Sequence, residues 1–326
     1  MLYYNKLLYY NIFMTNRIQT YLLTLIFSVF FLISTANADV KVVTSIKPIH
    51  SLVSYIMDGV GKPDVIVDGY NSPHGFSLKP SHAKMLENAD LVIWIGEDLE
   101  TFLEKPLETI AKKAKNIELM DLKGIKKLEF REKNIFEGHE NHKEHDDHKE
   151  KDGHESHAHG QHDPHVWLDP INAKVFIKEI TKQLIKLDSA NSSIYISNSK
   201  KALAEIDKLI KDIKSNLKKD LRFVVFHDAY QYFENRFGIQ VLGALTVNTD
   251  VVPGAEQLSG IREIIEHEKV NCLFSEPQFN PAIIKSIAKD TNVKTGILDP
   301  LGSELDKGKN LYFNLLKNMS SSFKGC

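Results

Sequence analysis

The sequence predicts an α/β protein of two lobes, each built on a parallel β-sheet, that are joined by one long helix. Short segments rich in β-branched residues alternate with amphipathic segments along most of the chain, which is typical of strand–helix units around parallel sheets. The alternation stops once, at a polar segment without periodicity, and then resumes. With 326 residues and 42% hydrophobic composition, the chain is long enough to bury two cores.

The first series of alternating segments predicts an N-terminal lobe over residues 39–190. Its strands are β-branched segments at residues 40–46, 64–68, 89–96 and 115–122. Its helices are amphipathic segments at residues 80–88 and 98–114, where apolar residues recur at helical spacing. Helical patterns resume at residue 171 and complete this lobe.

A long periodic segment separates the two series. Apolar residues keep helical spacing across residues 191–220, over about seven turns, so this segment is predicted as the connecting helix. A C-terminal lobe over residues 221–326 follows. Its predicted strands lie at residues 222–228, 239–245, 270–276 and 292–299, and its predicted helices at residues 230–237, 255–267 and 281–289.

Residues 1–38 have the features of a cleavable signal peptide. Basic residues precede an apolar run at residues 21–34, and Ala36 and Ala38 match the small-residue pattern of a signal-peptidase site. The run is shorter than the roughly 20 residues that span a membrane, which favours export of a soluble protein over an uncleaved anchor. Met14 is an alternative start, because a signal peptide of more ordinary length begins there.

The charge balance and the absent motifs narrow the class of ligand. The formal net charge is -2, and no basic stripe with interleaved aromatic residues indicates a nucleic-acid surface. No G-x-x-x-x-G-K-[ST] motif is present to hold nucleotide phosphates, so ATP hydrolysis is expected of a partner rather than of this chain. A small diffusible ligand is the default expectation.

Eight of the fourteen histidines lie in one polar segment, residues 138–162. The segment has no periodicity and almost no apolar residues, so we predict a disordered, solvated loop inserted in the N-terminal lobe. Its histidines are expected to be interchangeable, weak metal binders. They are His139, His142, His145, His148, His154, His157, His159 and His162.

Four polar residues follow predicted strands or the polar loop at positions where a ligand is expected. In open α/β sheets ligands bind beyond the carboxyl ends of the strands, and residues from both lobes can converge there on one cleft. The four are His74, His165, His227 and Asp299. Three imidazoles and one carboxylate suit a tetrahedral borderline metal, above all Zn²⁺.

The other histidines outside the polar loop are not expected to be ligands. His50, at the start of a predicted helix, is expected to pack or cap, and His82, in the first turn of another, is expected to face solvent. His267 closes a helix, where a histidine interacts favourably with the helix dipole. Glu276 ends a strand of the C-terminal lobe and is a candidate to orient a ligand imidazole from behind.

The chain contains two cysteines, Cys272 and Cys326. In the oxidising compartment that an exported protein meets, a lone pair is most simply a disulfide that ties the C-terminus to an internal strand. Two unpaired thiols are the alternative.

Several long motifs together resemble one known family. They are SPHGFSLKPSHAKML, ADLVIWIGEDLE, DPHVWLDP after the His-rich loop, FVVFHDAYQYFENRFG, PGAEQLSGIREIIEHEKVNCLFSEPQFNP and GILDPLG. The chain resembles the metal-binding receptors of bacterial ABC importers, and among them the zinc-specific periplasmic solute-binding proteins. The resemblance extends over essentially the whole chain after residue 38.

The resemblance implies two Rossmann-like α/β lobes, a rigid connecting helix and a single transported metal ion in the cleft between the lobes. It places the family's ligand positions on His74, His165, His227 and Asp299, with water as an alternative to Asp299. Manganese receptors typically carry a carboxylate at the position of His227, so the histidine favours Zn²⁺. It further implies a Cys272–Cys326 disulfide, and a monomer that hands the ion to membrane permease and ATPase subunits.

Three other functions are compatible with parts of the sequence. A receptor for manganese or another divalent metal would have the same fold. A metal-sequestering adhesin would rely on the His-rich loop rather than on the cleft. A zinc hydrolase would use the same three imidazoles with an activated water, but the chain has no His-Glu-x-x-His helix, and no enzymatic activity is expected.

Overall fold

The computed structural model describes residue 14 and residues 39–136, 162–217, 221–247, 249 and 252–326. Residues 40–326 form one compact unit that contains both predicted lobes. Within the described part of the chain, no helix has the length and apolar content needed to cross a membrane.

The first sheet is parallel throughout and has the strand order β2-β1-β3-β4. Its strands are β1 (Val42–Ile46), β2 (Asp64–Val67), β3 (Leu91–Trp94) and β4 (Lys115–Glu118). The connecting helices are α1 (Lys47–Ile56), α2 (Pro80–Glu87) and α3 (Thr101–Thr109). Every residue of the central strands β1 and β3 is buried, as expected of a parallel sheet covered on both faces.

The second sheet repeats this arrangement, with the order β6-β5-β7-β8 and parallel pairing throughout. Its strands are β5 (Arg222–His227), β6 (Gln240–Thr246), β7 (Cys272–Ser275) and β8 (Lys294–Ile297). Two parallel α/β lobes are therefore present, and the predicted fold class is confirmed.

Two long helices follow the polar segment and precede the second sheet. They are α4 (Pro170–Leu187) and α5 (Ser192–Asn216). Asp169 begins α4, because its carboxylate accepts a hydrogen bond from the Ile171 amide at 2.8 Å and Pro170 occupies the first turn. The buried face of α5 packs against α1 and α4, so the predicted connecting helix lies along the first lobe.

Three further helices surround the second sheet. They are α6 (Gln231–Phe237), α7 (Ala255–His267) and α8 (Ala282–Thr291).

The helix bounds differ most from the prediction in the first lobe. The helix predicted at residues 98–114 is shorter and begins at Thr101. The Glu100 carboxylate accepts hydrogen bonds from the amides of Ile95 and Gly96 at 2.9 and 3.0 Å, which turns the chain before the helix starts.

The C-terminal helix α9 (Leu311–Gly325) was not predicted, and it contacts both lobes. Near its start, the Tyr312 amide donates to Ser51 Oγ at 2.9 Å, on α1 of the first lobe. Near its end, the ring of Phe323 lies 4.8 Å from Phe223 and 5.3 Å from Phe274, on strands of the second sheet. One hydrophobic cluster consequently runs from the first sheet to the second.

A disulfide joins Cys272, at the start of β7, to Cys326, directly after α9. This pairing is confirmed, and the alternative of two free thiols is wrong. The bond closes a loop with a sequence separation of 54 residues. It fixes the end of α9 against the sheet on which Phe323 packs.

We expect replacement of both cysteines by serine to lower the free energy of unfolding by about 2–4 kcal/mol, because the closed loop restricts the unfolded chain. Urea unfolding of the metal-free protein, with the parent and the C272S/C326S variant compared, measures the difference. Reductant should shift the parent towards the variant and leave the variant unchanged. Coincident midpoints of parent and variant would contradict the expectation.

Candidate metal centre

Three of the four predicted ligands lie together where the two lobes meet. His74 lies in the segment between β2 and α2, His165 directly precedes a short 3₁₀ turn at Val166–Leu168, and His227 is the last residue of β5. His165 and His227 are buried, and His74 is half-buried. The strand-end reasoning for His74 and His227 thus corresponds to side chains that converge in space.

The three imidazoles form a nearly equilateral group. Their ring centroids are 5.5, 5.7 and 5.1 Å apart for the pairs His74–His165, His74–His227 and His165–His227. One nitrogen from each ring lies within 4.8 Å of the others. Nitrogens bound to one tetrahedral Zn²⁺ at about 2.05 Å would be about 3.3 Å apart, and His165 Nε2 and His227 Nε2 are already 3.2 Å apart.

A carboxylate holds the far side of the His165 ring. Asp163 Oδ1 lies 2.7 Å from His165 Nδ1 and also accepts a hydrogen bond from the His165 amide at 2.9 Å. The Tyr232 hydroxyl donates to the backbone carbonyl of Asp163 at 2.8 Å. Asp163 is 1% exposed, so water does not compete for this contact. The local DPH sequence therefore builds an oriented imidazole within three residues.

A second carboxylate holds His227 in the same way. Both oxygens of Glu276 approach His227 Nδ1, at 2.7 and 2.9 Å, and the Tyr230 hydroxyl donates to Glu276 Oε1 at 2.9 Å. Burial lowers the pKa of His227, but the adjacent Glu276 carboxylate outweighs burial and leaves that pKa above its ordinary value.

These carboxylates determine the tautomer of both rings. A carboxylate only accepts, so Nδ1 of His165 and of His227 must donate, and each neutral ring then carries its lone pair on Nε2. The two Nε2 atoms face each other at 3.2 Å, where either a metal ion or a proton shared in a hydrogen bond relieves the repulsion between two lone pairs. The donor set therefore fits a metal ion, and Zn²⁺ in particular.

Asp299, the fourth predicted ligand, is not a member of the converging group in the described part of the chain. Its carboxylate accepts hydrogen bonds from the amides of Leu301, Gly302 and Ser303, at 3.1, 3.0 and 2.5 Å. Gln278 Nε2 also donates to Asp299 Oδ1, at 2.9 Å. The carboxylate thus stabilises the turn after β8, and the group of converging ligands described here contains the three histidines without Asp299.

The space between the histidines is small and has apolar walls. A cavity of about 10 Å³ lies against the three rings, which is room for about one water-sized body. The remaining lining includes Pro73, Trp167, Phe279, Pro300 and Leu301. Apolar walls keep the dielectric low, which strengthens the attraction between a bound cation and the carboxylates behind the rings.

A buried ionic cluster adjoins the histidines and was not predicted. Arg131 Nη1 lies 3.0 Å from Asp228 Oδ1, and Arg131 Nη2 lies 3.1 Å from Glu234 Oε2. Burial raises the pKa of Asp228 to about 8, although Arg131 opposes the shift, and burial also raises the pKa of Glu234. Asp163 was missed as well, although its position two residues before His165 was a usable signal.

His50 is buried, as expected of a packing residue, with Nε2 3.1 Å from the Pro63 carbonyl. The prediction that His82 faces solvent is wrong: His82 is buried, and its Nδ1 accepts a hydrogen bond from the Lys79 amide at the start of α2. His267 is exposed at the end of α7. None of the three belongs to the converging group among the residues described here.

The predicted His-rich loop lies outside the described residues from 137 to 161. His162, placed in that loop by the prediction, is described, and it forms an isolated antiparallel bridge with Glu129. The Asp163 amide then donates to the Leu128 carbonyl at 2.9 Å. His162, three residues before His165, is therefore fixed by backbone pairing.

The sequence was compared with known families. A family model described as "ZnuA: Zinc-uptake complex component A periplasmic" matches residues 42–326. The chain belongs to this family. The resemblance stated from the motifs is thus confirmed, and the ZnuA family is that of a periplasmic component of a zinc-uptake complex.

Individual members of the ZnuA family match most of the chain. A high-affinity zinc uptake system protein ZnuA of Brucella abortus (strain 2308) is 42% identical over 311 residues, covering 90% of this chain and 93% of that protein. The protein of the same name from Yersinia pestis is 38% identical over 293 residues, covering 89% and 92%. A crystal structure of ZnuA shares the fold, with a TM-score of 0.72 at 23% identity over 89% of this chain and 99% of the other.

Metal affinity at the three histidines should fall as pH decreases. A protonated imidazole cannot coordinate, and because the pKa of His227 lies above its ordinary value, protons compete there from above pH 6.5. We expect the Kd for Zn²⁺ to rise about tenfold per pH unit for each proton displaced. Competition against a chromophoric chelator between pH 8 and pH 5.5, in the variant lacking residues 138–161, measures it. A constant Kd across this range would contradict the expectation.

Replacement of His227 by alanine should weaken tight Zn²⁺ binding by at least roughly 100-fold, because it removes one of three ligands and leaves Glu276 without its partner. His82→Ala is the matched control, since His82 is also buried but caps a helix outside the site. Isothermal titration of both variants, with circular dichroism as a check on folding, separates the outcomes. Equal losses in the two variants would exclude a specific role for His227.

Proposed function

We propose that this chain is a high-affinity periplasmic zinc-binding protein that captures Zn²⁺ at His74, His165 and His227 and delivers it to an ABC-type zinc importer. Membership of the ZnuA family supports the process, and the relatives named high-affinity zinc uptake system proteins support the metal. The observation that carries the proposal is the convergence of three imidazoles, two of them already at the tetrahedral spacing, on a space for one ion.

Ligands from both lobes make capture and release possible at one place. His74 and His165 come from the part of the chain before α4, whereas His227 ends a strand of the second sheet. Any movement that separates the lobes pulls His227 away from the other two and lowers the number of ligands. Affinity then falls steeply, because each imidazole contributes a coordinate bond that water must replace.

The fourth coordination position belongs to water or to Asp299. Water needs no rearrangement of the protein. The Asp299 carboxylate accepts from the amides of Leu301, Gly302 and Ser303 at 2.5 to 3.1 Å, which occupies part of its accepting capacity. A direct Asp299 ligand would share its carboxylate between these amides and the ion.

The partners of the proposed receptor follow from what the chain lacks and from its family. Transport across a membrane needs a permease, and energy from ATP needs nucleotide-binding subunits, for which this sequence has no phosphate-binding motif. We infer that the chain acts as a monomer, is exported by residues 1–38 and starts at Asp39 after cleavage. The family match begins at residue 42, close to this predicted start.

Donor chemistry and cavity size weigh against the other functions. Manganese prefers oxygen ligands, whereas the three converging side chains offer nitrogen. A hydrolase must admit a substrate beside the metal, and a cavity of about 10 Å³ admits one water-sized body, so we propose no enzymatic activity. A sequestering adhesin would depend on the His-rich segment, whose contribution an internal deletion isolates.

The variant lacking residues 138–161 should bind one Zn²⁺ tightly and restore growth of a strain without this gene under zinc limitation. The cleft histidines are intact in that variant, and His162 keeps its bridge to Glu129. His227→Ala, which keeps the His-rich segment, should fail to restore growth unless zinc is added, and added manganese should not help. Zinc per chain and growth yield are measured together. Loss of both in the deletion variant would overturn the cleft as the functional site.

A further inference from the structure

We propose that Glu276 is a positioning residue of the zinc site, which with Tyr230 fixes His227 in the tautomer that can bind the ion and supplies charge that balances it. The proposal rests on the proposed function, since it concerns the same site. It adds a residue that does not touch the metal, and it assigns to Tyr230 the orientation of the side chain at position 276.

The contacts of Glu276 leave little freedom to the His227 ring. The carboxylate is 3% exposed and directly follows β7, while His227 ends the neighbouring strand β5, so two paired strands set their separation. Both carboxylate oxygens lie within 2.9 Å of Nδ1. Rotation of the ring would break these contacts, so Nε2 stays directed at His165 with or without an ion.

Charge also indicates a role beyond packing. Burying a charged carboxylate is unfavourable. A neutral amide of the same shape could fill the same space and accept a hydrogen bond without that cost, so packing alone does not explain a glutamate here. Three neutral imidazoles bring no charge to a divalent cation in an apolar cavity. Glu276 behind His227 and Asp163 behind His165 together carry two negative charges, one from each lobe, which match the charge of Zn²⁺. Each lobe therefore contributes one histidine whose ring is oriented by a buried carboxylate of the same lobe.

Tyr230 determines what a neutral substitute would do. Its fully buried hydroxyl donates to Glu276 Oε1. In a Glu276→Gln variant, the amide oxygen takes the Oε1 position, where it accepts from Tyr230 and also from Nδ1, which lies 2.7 Å away. The amide NH₂ takes the Oε2 position, so one accepting contact with Nδ1 is replaced by two opposed N–H groups. The variant thus keeps the tautomer while Tyr230 is present, but it loses the negative charge and one contact.

E276Q should weaken Zn²⁺ binding by about 10–100-fold through the lost charge, while Tyr230→Phe alone should have a small effect, because a carboxylate accepts in either orientation. In the double variant E276Q/Y230F, the Tyr230 hydroxyl no longer holds the amide oxygen, so the amide can turn its NH₂ group to Nδ1 and move the imidazole proton onto Nε2. Zinc affinity should therefore fall further than in E276Q, and by more than the two single losses combined.

The experiment measures the Kd for Zn²⁺ in the parent, E276Q, Y230F and E276Q/Y230F by chelator competition. The ¹⁵N chemical shifts of His227 in the metal-free proteins report the tautomer directly. We expect protonated Nδ1 in the parent, in Y230F and in E276Q, and a population with protonated Nε2 in the double variant. Glu100→Gln is the matched control, because Glu100 is a fully buried glutamate whose carboxylate accepts from backbone amides of the first lobe. Its zinc affinity should equal that of the parent.

Unchanged zinc affinity in E276Q, or a double variant whose loss equals the two single losses combined and whose Nδ1 stays protonated, overturns the proposal. If E276Q does not fold, Glu276→Asp replaces it: the charge remains but its reach shortens, so zinc affinity should fall with the tautomer retained, and unchanged affinity is again contrary. Failure of the proposed function is distinguishable, because the parent itself would then bind Zn²⁺ no better than H227A.

Discussion

Two imidazole nitrogens 3.2 Å apart, each directed at the other by a carboxylate behind its ring, set the requirement that organises this protein. Lone pairs on both atoms repel each other, and a cation that joins the atoms, either a metal ion or a proton, makes the arrangement favourable. The fold maintains it by burying a carboxylate behind each ring, and by supplying the rings from opposite lobes. Binding strength is thus prepared in the empty protein through orientation, which leaves less entropy to lose when the ion arrives.

The buried charges behind the site form a layered arrangement. The histidines lie nearest the cavity, their carboxylate partners lie behind them, and the Arg131 cluster lies further along the same side. A single guanidinium faces two carboxylates, and burial keeps the pKa of Asp228 near 8 in spite of it. Arg131 belongs to the chain segment that precedes the His-rich tract, so this segment is attached to the second lobe beside the metal site.

Much of the architecture could be predicted because parallel sheets impose strong patterns. All eight strands occur within the predicted ranges or one residue beyond. His74 and His227 could be found from their positions after strands, and His165 from the apolar and turn residues that follow it. Asp299 shows the limit: its position after β8 was read correctly, but nothing in the sequence reports that neighbouring amides compete for its carboxylate.

The missed features share a different physical cause. Helix α9 is rich in asparagine and serine and has a modest helical pattern, so its stability comes from tertiary packing on both lobes rather than from local preference. Arg131 pairs with residues about 100 positions away, and such pairing leaves no local trace in the chain. Sequence patterns report local periodicity and topology, whereas buried ion pairs depend on the finished packing.

Helix α9 also has a consequence for how the molecule matures. It is the last described element in the chain, it completes a core shared by both lobes, and its end is bonded to β7. Neither lobe can bury its full apolar surface until these final residues arrive. Folding is therefore complete only when α9 has packed across both lobes, and the Cys272–Cys326 bond then retains the helix there.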